Sequence, residues 1–176
     1  MSTALAAGGP AAAPAGASIK VGLGQLATST KATDVLAAIG LGSCIGVAAF
    51  DPSAGVGGMV HVMLPDSSIA SGGNIPLPGK FADTAIPALL EAVRRLGADP
   101  GRLVIKMAGG AQMFAGGGGV LNIGLRNAVA VRAALKAAGL RPRAADTGGT
   151  SGRTLELHMA TGRVTVRAIG QAVQEL

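Results

Sequence analysis

The stretch Gly40-Leu41-Gly42-Ser43-Cys44-Ile45-Gly46-Val47-Ala48-Ala49-Phe50-Asp51-Pro52-Ser53-Ala54-Gly55-Val56-Gly57-Gly58-Met59-Val60-His61-Val62-Met63-Leu64 decides how this chain folds. Two apolar runs, residues 45–50 and 56–64, flank Asp51-Pro52-Ser53-Ala54-Gly55, a cluster of turn formers, and the pattern predicts strand, turn, strand. In a hairpin the head of the first strand lies near the tail of the second. Cys44, the only cysteine, stands at that head in a glycine-lined turn, and His61 follows seventeen residues on. Pairing brings the thiol towards the imidazole, a spacing that fits a dyad.

Before this stretch, residues 1–17 are almost entirely Ala, Gly, Pro, Ser and Thr. Such a segment has too little large apolar surface to offset the entropy of ordering it, and it is expected to be disordered. Residues 18–176 then form one domain. Residues 19–26 carry Ile, Val and Leu around Gly22 and Gly24, which predicts a first strand with a bend or bulge at the glycines. A short second strand, 35–39, leads into the cysteine turn. Gly40-Leu41-Gly42 superficially suggests a dinucleotide loop, but the third glycine is displaced to Gly46 and an apolar strand follows instead of a helix.

After Pro65, the Ser-, Gly- and Pro-rich residues 66–79 predict a long loop beside the cysteine turn. Gly79-Lys80 is not a phosphate loop, because Phe81 stands where Ser or Thr would bind magnesium. A helix then runs to about Leu96, with Ala82, Ile86, Leu89, Leu90, Val93 and Leu96 on one face and Gly97 ending it. Pro87 is harmless there if Thr84 caps the helix, and costs a hydrogen bond if the helix begins near Lys80. Residues 103–108 read as a strand. A second helix follows from about Asn122 to Ala138, with Ile123, Ala128, Val131, Leu135 and Ala138 apolar and Arg132 and Lys136 outside. Strands are predicted at 141–145, 153–159 and 163–169, the last two joined as a hairpin through Ala160-Thr161-Gly162. Because strands and helices do not alternate strictly, the fold class is a layered α/β sandwich on mixed or antiparallel sheet with two main helices.

Composition narrows the function. With 176 residues a sizeable core needs no disulfide. One Cys and two His make a four-ligand zinc site improbable on numbers alone, and no metal or cofactor is called for. Three Phe and neither Trp nor Tyr leave a core of Ala, Val, Leu, Ile and Met, packed closely. The net charge of +6 comes from 15 basic and 9 acidic residues. No basic block interleaved with aromatics supports nucleic acid as a partner, so the charge is either a solvated surface or the complement of an acidic protein. No apolar run is long enough to span a membrane, and the start lacks a secretory pattern; a cytoplasmic location is expected.

Leu41-Gly42-Ser43-Cys44, Asp51-Pro52, Gly58-Met59-Val60-His61-Val62-Met63-Leu64-Pro65 and Gly109-Gly110-Ala111-Gln112-Met113-Phe114 occur here in one order. They are followed by Asn122-Ile123-Gly124, Arg126-Asn127 and Asp146-Thr147-Gly148-Gly149. Taken together these motifs, spread over residues 19–170, resemble the CheD family of chemoreceptor glutamine deamidases. The resemblance implies a layered fold shared with deamidating bacterial toxins. It also implies methyl-accepting chemotaxis receptors as substrate and a CheC-type response-regulator phosphatase as a partner. The family pattern has a threonine six residues before the cysteine, completing a triad; here that position is Ala38, which offers no side-chain acceptor.

The chemistry is consistent with that resemblance. A primary amide is a poor electrophile, and its cleavage without metal needs a strong nucleophile and a proton donor for departing ammonia. Cys44 supplies the first and His61 the second. Glycines at 40 and 42 admit substrate to the backbone, and amides around Gly42, Ser43 and Cys44 are candidates to stabilise the oxyanion. Alone, a cysteine heading an apolar strand, or a histidine among Val60 and Val62, is usually a core residue. Their joint occurrence within the motifs makes Cys44 and His61 the catalytic candidates, whereas His158 has no motif around it. A competing reading is a binding module for the CheC-type phosphatase, with Phe114 as the contact. A weaker one is a cysteine hydrolase or transglutaminase acting on another amide.

Overall fold

The computed structural model describes residues 16–70, 77–112 and 122–176. Of the segment expected to be disordered, residues 1–15 lie outside this range, while Ala17 is already tied to the domain: its carbonyl accepts from the Val35 amide at 3.0 Å. Phe114 also lies outside the described residues.

The two apolar runs form β4 (Ile45–Asp51) and β5 (Val56–Val62), an antiparallel hairpin in which Gly46 faces His61 and Asp51 faces Val56. Asp51 builds the turn, since its carboxylate accepts from the Ser53 and Ala54 amides and its carbonyl from the Gly55 amide. Every residue of both strands is buried, which requires cover on both faces.

That cover comes from helices on one face and a second sheet on the other. β4 and β5 lie within a five-stranded sheet of order β2-β5-β4-β6-β7, where β2 is Leu26–Ser29, β6 Val104–Gly109 and β7 Ala144–Thr147. The other sheet runs β1-β3-β8-β9-β10, with β1 at Ser18–Lys20, β3 at Val35–Leu41, β8 at Arg153–His158, β9 at Arg163–Ala168 and β10 at Gln174–Glu175. Val47, Val60 and Val62 pack with Ile86, Leu89 and Val93 of α1 (Ala82–Arg95) and with Val131 and Leu135 of α2 (Ile123–Ala137). On the opposite face Ala48, Phe50 and Met59 meet Leu36, Leu155, Leu157 and Val166 of the second sheet. The molecule is therefore an α/β sandwich of helix layer, sheet and sheet, with mixed strand directions as the sequence predicts.

Small residues let the layers approach. A Cβ on Gly57 would come within 2.5 Å of the Met159 sulfur, and one on Gly58 within 2.7 Å of Val93. The first glycine sets the sheet-to-sheet gap, the second the gap to α1.

Several expectations are corrected. Residues 19–26 are not one bent strand. β1 and β2 belong to different sheets, and the chain crosses between them through a turn at Gly22 to Gln25, where the Gln25 amide donates to the Gly22 carbonyl at 3.0 Å. Thr84 does not cap α1, which begins at Ala82 with Phe81 before it. Pro87 thus sits inside the helix; it is exposed, on the solvent side, where the Asp83 carbonyl left without an amide partner can be hydrated. In α2 the buried face is Gly124, Asn127, Ala128, Val131 and Leu135, while Ala138 is exposed. The predicted strand at 141–145 is displaced to β7.

Candidate active site

The cysteine turn joins β3 of one sheet to β4 of the other. Just before it, Gly40 takes a left-handed conformation, at φ 74°, where the pairing of β3 with β8 shifts register between Ala38 and Leu41. Beyond it three successive carbonyls are held by donors from the body of the protein. Gly42 O accepts from the Ala111 amide at 2.7 Å, and Cys44 O from the Gly110 amide at 2.8 Å. Between them, Ser43 O accepts from Asn127 Nδ2 at 2.9 Å. Gly109 must be glycine here, because at φ 118° a side chain would be driven into the Cys44 carbonyl. The Gly109-Gly110-Ala111 motif, at the end of β6, therefore backs the cysteine turn. Asp146 and Gly148 reinforce it: Arg153, paired to Asp146 at 3.0 Å, donates to Gly109 O, and so does the Gly148 amide.

In a trans peptide the carbonyl and the following N–H point opposite ways. The Ser43 N–H therefore points away from Ala111 and the Cys44 N–H away from Asn127, and among the described residues neither donates a hydrogen bond. Gly42 differs. Its amide donates to Gly40 O at 2.9 Å.

His61 reaches the same side of the sheet. Side chains alternate along strands, so His61 shares the between-sheet face with Met59, and Cys44 shares it with Ala48; the half-buried Cys44 packs against that cluster. Because Gly46 is the partner of His61 across the ladder, Cys44 is its diagonal neighbour. Gly46 lacks a side chain where one would collide with Leu41 and Leu155, so the strand can lie close against the second sheet beside His61. His61 Nδ1 lies 3.1 Å from Val21 O. A carbonyl only accepts, so Nδ1 carries the proton and Nε2 keeps its lone pair. Nε2 is buried and has no hydrogen-bond partner among the described residues.

The acceptor that fixes this tautomer is thus the backbone carbonyl of Val21, delivered by the segment between β1 and β2. Ala38 is fully buried in β3, and its methyl lies 3.5 Å from where a Cβ of Gly46 would stand, across the ladder from His61. The position packs against Gly46, the ladder partner of His61, and contributes no polar side-chain group.

Burial pushes the Cys44 thiol up from its ordinary value. Burial also lowers His61, against a smaller opposing effect of the Val21 carbonyl. Both groups are neutral at pH 7, an arrangement suited to general-base transfer of the thiol proton when an electrophile arrives and not to a resting thiolate–imidazolium pair.

Asn127 escaped the sequence reasoning except as part of a motif. Fully buried on α2, it donates through Nδ2 to Ser43 O at 2.9 Å and to Met63 O at 2.8 Å, spanning the head of β4 and the tail of β5. Nearby, Gly110, Gln112, Asn122, Thr147 and Gly148 line a cavity of about 160 Å³. His158 lies on the outer face of β8, 3.2 Å from Thr165 Oγ1, away from this site.

A neutral thiol, a tautomer-fixed imidazole and backbone amides that donate no hydrogen bond among the described residues, on an α/β sandwich, are the parts that cysteine-dependent acyl transfer needs. The family model described as "CheD chemotactic sensory transduction" matches residues 63–168, more than half of the chain. A protein of Symbiobacterium thermophilum named "Probable chemoreceptor glutamine deamidase CheD" is 49% identical over 158 residues, spanning 89% of this chain and 95% of that protein. The "Chemoreceptor glutamine deamidase CheD" of Thermotoga maritima is 46% identical over 154 residues, spanning 88% of this chain and 94% of its own. The chain belongs to the CheD family.

Proposed function

We propose that this protein is a protein-glutamine deamidase that converts glutamines of methyl-accepting chemotaxis receptors to glutamate, with Cys44 as nucleophile and His61 as base and acid. The observation that carries the reading is the hydrogen bond from His61 Nδ1 to Val21 O, which leaves Nε2 as a base on the face that Cys44 shares. Family membership supplies the substrate class.

His61 Nε2 takes the thiol proton as Sγ bonds to the glutamine Cδ, and negative charge moves to the amide oxygen. The amides of Ser43 and Cys44 receive that oxyanion. Collapse breaks the C–N bond, the imidazolium passes its proton to the leaving nitrogen, and ammonia departs. Water, deprotonated by the same Nε2, adds to the thioester; the C–S bond breaks, Cys44 regains its proton and the product is glutamate. No step calls for a metal or cofactor. Among the described residues no helix is long and apolar enough to cross a membrane, and the reading places the enzyme on the receptors' cytoplasmic portion.

Ammonia release from a receptor cytoplasmic fragment tests this. Release that tracks enzyme concentration and stops when Cys44 is alkylated is expected. No release, with retained binding to a CheC-type phosphatase, would replace the enzyme by the binding-module reading.

A further inference from the structure

We propose that Asn127 is a positioning residue that aims the Cys44 amide at the developing oxyanion. The inference deepens the deamidase reading and rests on it for its purpose. Ser43 O and the Cys44 N–H belong to one peptide plane and point in opposite directions. Whatever holds Ser43 O therefore sets where the Cys44 N–H points. That holder is Asn127 Nδ2, which spends its second N–H on Met63 O.

Met63 lies two residues beyond His61, so one side-chain nitrogen ties the segment carrying the nucleophile to the segment carrying the base. Few side chains can do this. The group must present two donors on one atom, lie between two strand ends and carry no charge into a buried place. The arrangement has a cost, because Asn127 Oδ1 is buried without a hydrogen-bond partner among the described residues. A buried acceptor left unpaired costs stability. Here the orientation of the amide is dictated by the two carbonyls and not by satisfaction of its own oxygen, as expected where geometry at a site outranks stability.

The test separates aiming from mere support by using two reactions of Cys44. With p-nitrophenyl acetate, Sγ bonds to the acetyl carbon through a tetrahedral oxyanion; the bond to p-nitrophenolate breaks and the thiol proton passes to His61 Nε2. Iodoacetamide alkylates the same sulfur by displacing iodide, with no oxyanion. Because Cys44 is the chain's only cysteine, thiol modification reports this site alone, and the ester background is read from Cys44→Ser. In Asn127→Ser, which cannot serve both carbonyls, acylation is expected to fall about tenfold or more. Alkylation stays within about twofold, since access and thiol ionisation are unchanged. Equal falls in both rates, or no fall in acylation, would overturn the proposal.

Hydrogen exchange on the unmodified protein keeps the proposal open to refutation should the variant not fold. The Cys44 amide is expected to exchange about tenfold or more faster than that of Val47 within β4, while the Asn127 side-chain amide protons exchange slowly. A Cys44 amide as protected as Val47 would overturn the proposal. Neither probe requires a receptor. Failure of the deamidase reading would instead show as absent ammonia release by a protein whose acylation and alkylation rates still separate as stated.

Discussion

At the scale of single residues the account turns on two neutral groups. Burial raises the Cys44 thiol and lowers the His61 imidazole, so at neutral pH the thiol keeps its proton and the ring stays uncharged. Alkylation of Cys44 is therefore expected to climb with pH past the ordinary thiol value of about 8.5. A plateau already present near pH 6 would indicate a preformed ion pair and contradict the assignment. The acid side of the kcat/KM profile is expected to report protonation of His61 and to lie below the ordinary imidazole value, about 6.5; an acid limb above that value would contradict the assignment. Ala38 provides a second prediction. With Nδ1 already engaged by Val21 O, a hydroxyl added by Ala38→Thr has no orienting task left, and kcat should stay within about twofold. Position 38 is fully buried, so the extra atoms should instead lower stability by about 1–3 kcal/mol. A clear rise in kcat would show that the carbonyl alone orients the ring poorly.

Among the elements, the β4–β5 hairpin organises everything and is anchored at its far end by Asp51. Its carboxylate is fully buried and accepts from Arg102 at 2.8 Å and from the Asp99 amide at 2.8 Å, tying the turn to the segment after α1. The Arg102 guanidinium, then these amides, hold its ionisation well below the usual carboxylate range. A carboxylate depressed on folding stabilises above its unfolded pKa and loses that stabilisation as pH falls through the folded value. Asp51→Asn should thus lower Tm at pH 7 on the order of 5 °C and flatten the decline of Tm in acid; an unchanged Tm would sink the anchoring role. This hairpin was legible in the sequence because its signals are local: apolar runs, a turn cluster and the paired spacing of Cys44 and His61. Both helices announced themselves through periodicity and terminal glycines. The turn at residues 22–25 did not, since its flanks are apolar on either side and only tertiary pairing shows that they enter different sheets. Asn127 was hidden for a related reason: an amide on a helix reads as surface until the carbonyls it serves are known. Likewise, sequence marks Gly42 as a backbone donor, and only the turn geometry reveals that Gly40 already holds its amide.

For the molecule as a whole, the α/β sandwich lets one sheet carry the half-buried Cys44 and the buried His61 on the face between the sheets, while the helix layer supports that sheet from behind. α2 has a double role, supplying Asn127 inward and exposing Arg126, Arg132 and Lys136 outward. With a net charge of +6, association with an acidic receptor fragment should be steered electrostatically. The expected result is a kcat/KM that falls with added salt while kcat changes little; an equal decline in both would assign the salt effect to the chemistry. The central claim, that Cys44 and His61 together convert receptor glutamine to glutamate, is tested most directly by site-resolved mass spectrometry. A receptor cytoplasmic fragment is incubated with the unmodified protein, with Cys44→Ala and with His61→Ala, each confirmed to be folded. The account predicts amide-to-acid conversion at particular glutamines with the unmodified protein and none above background with either variant. Conversion that persists in a folded Cys44→Ala protein would contradict it.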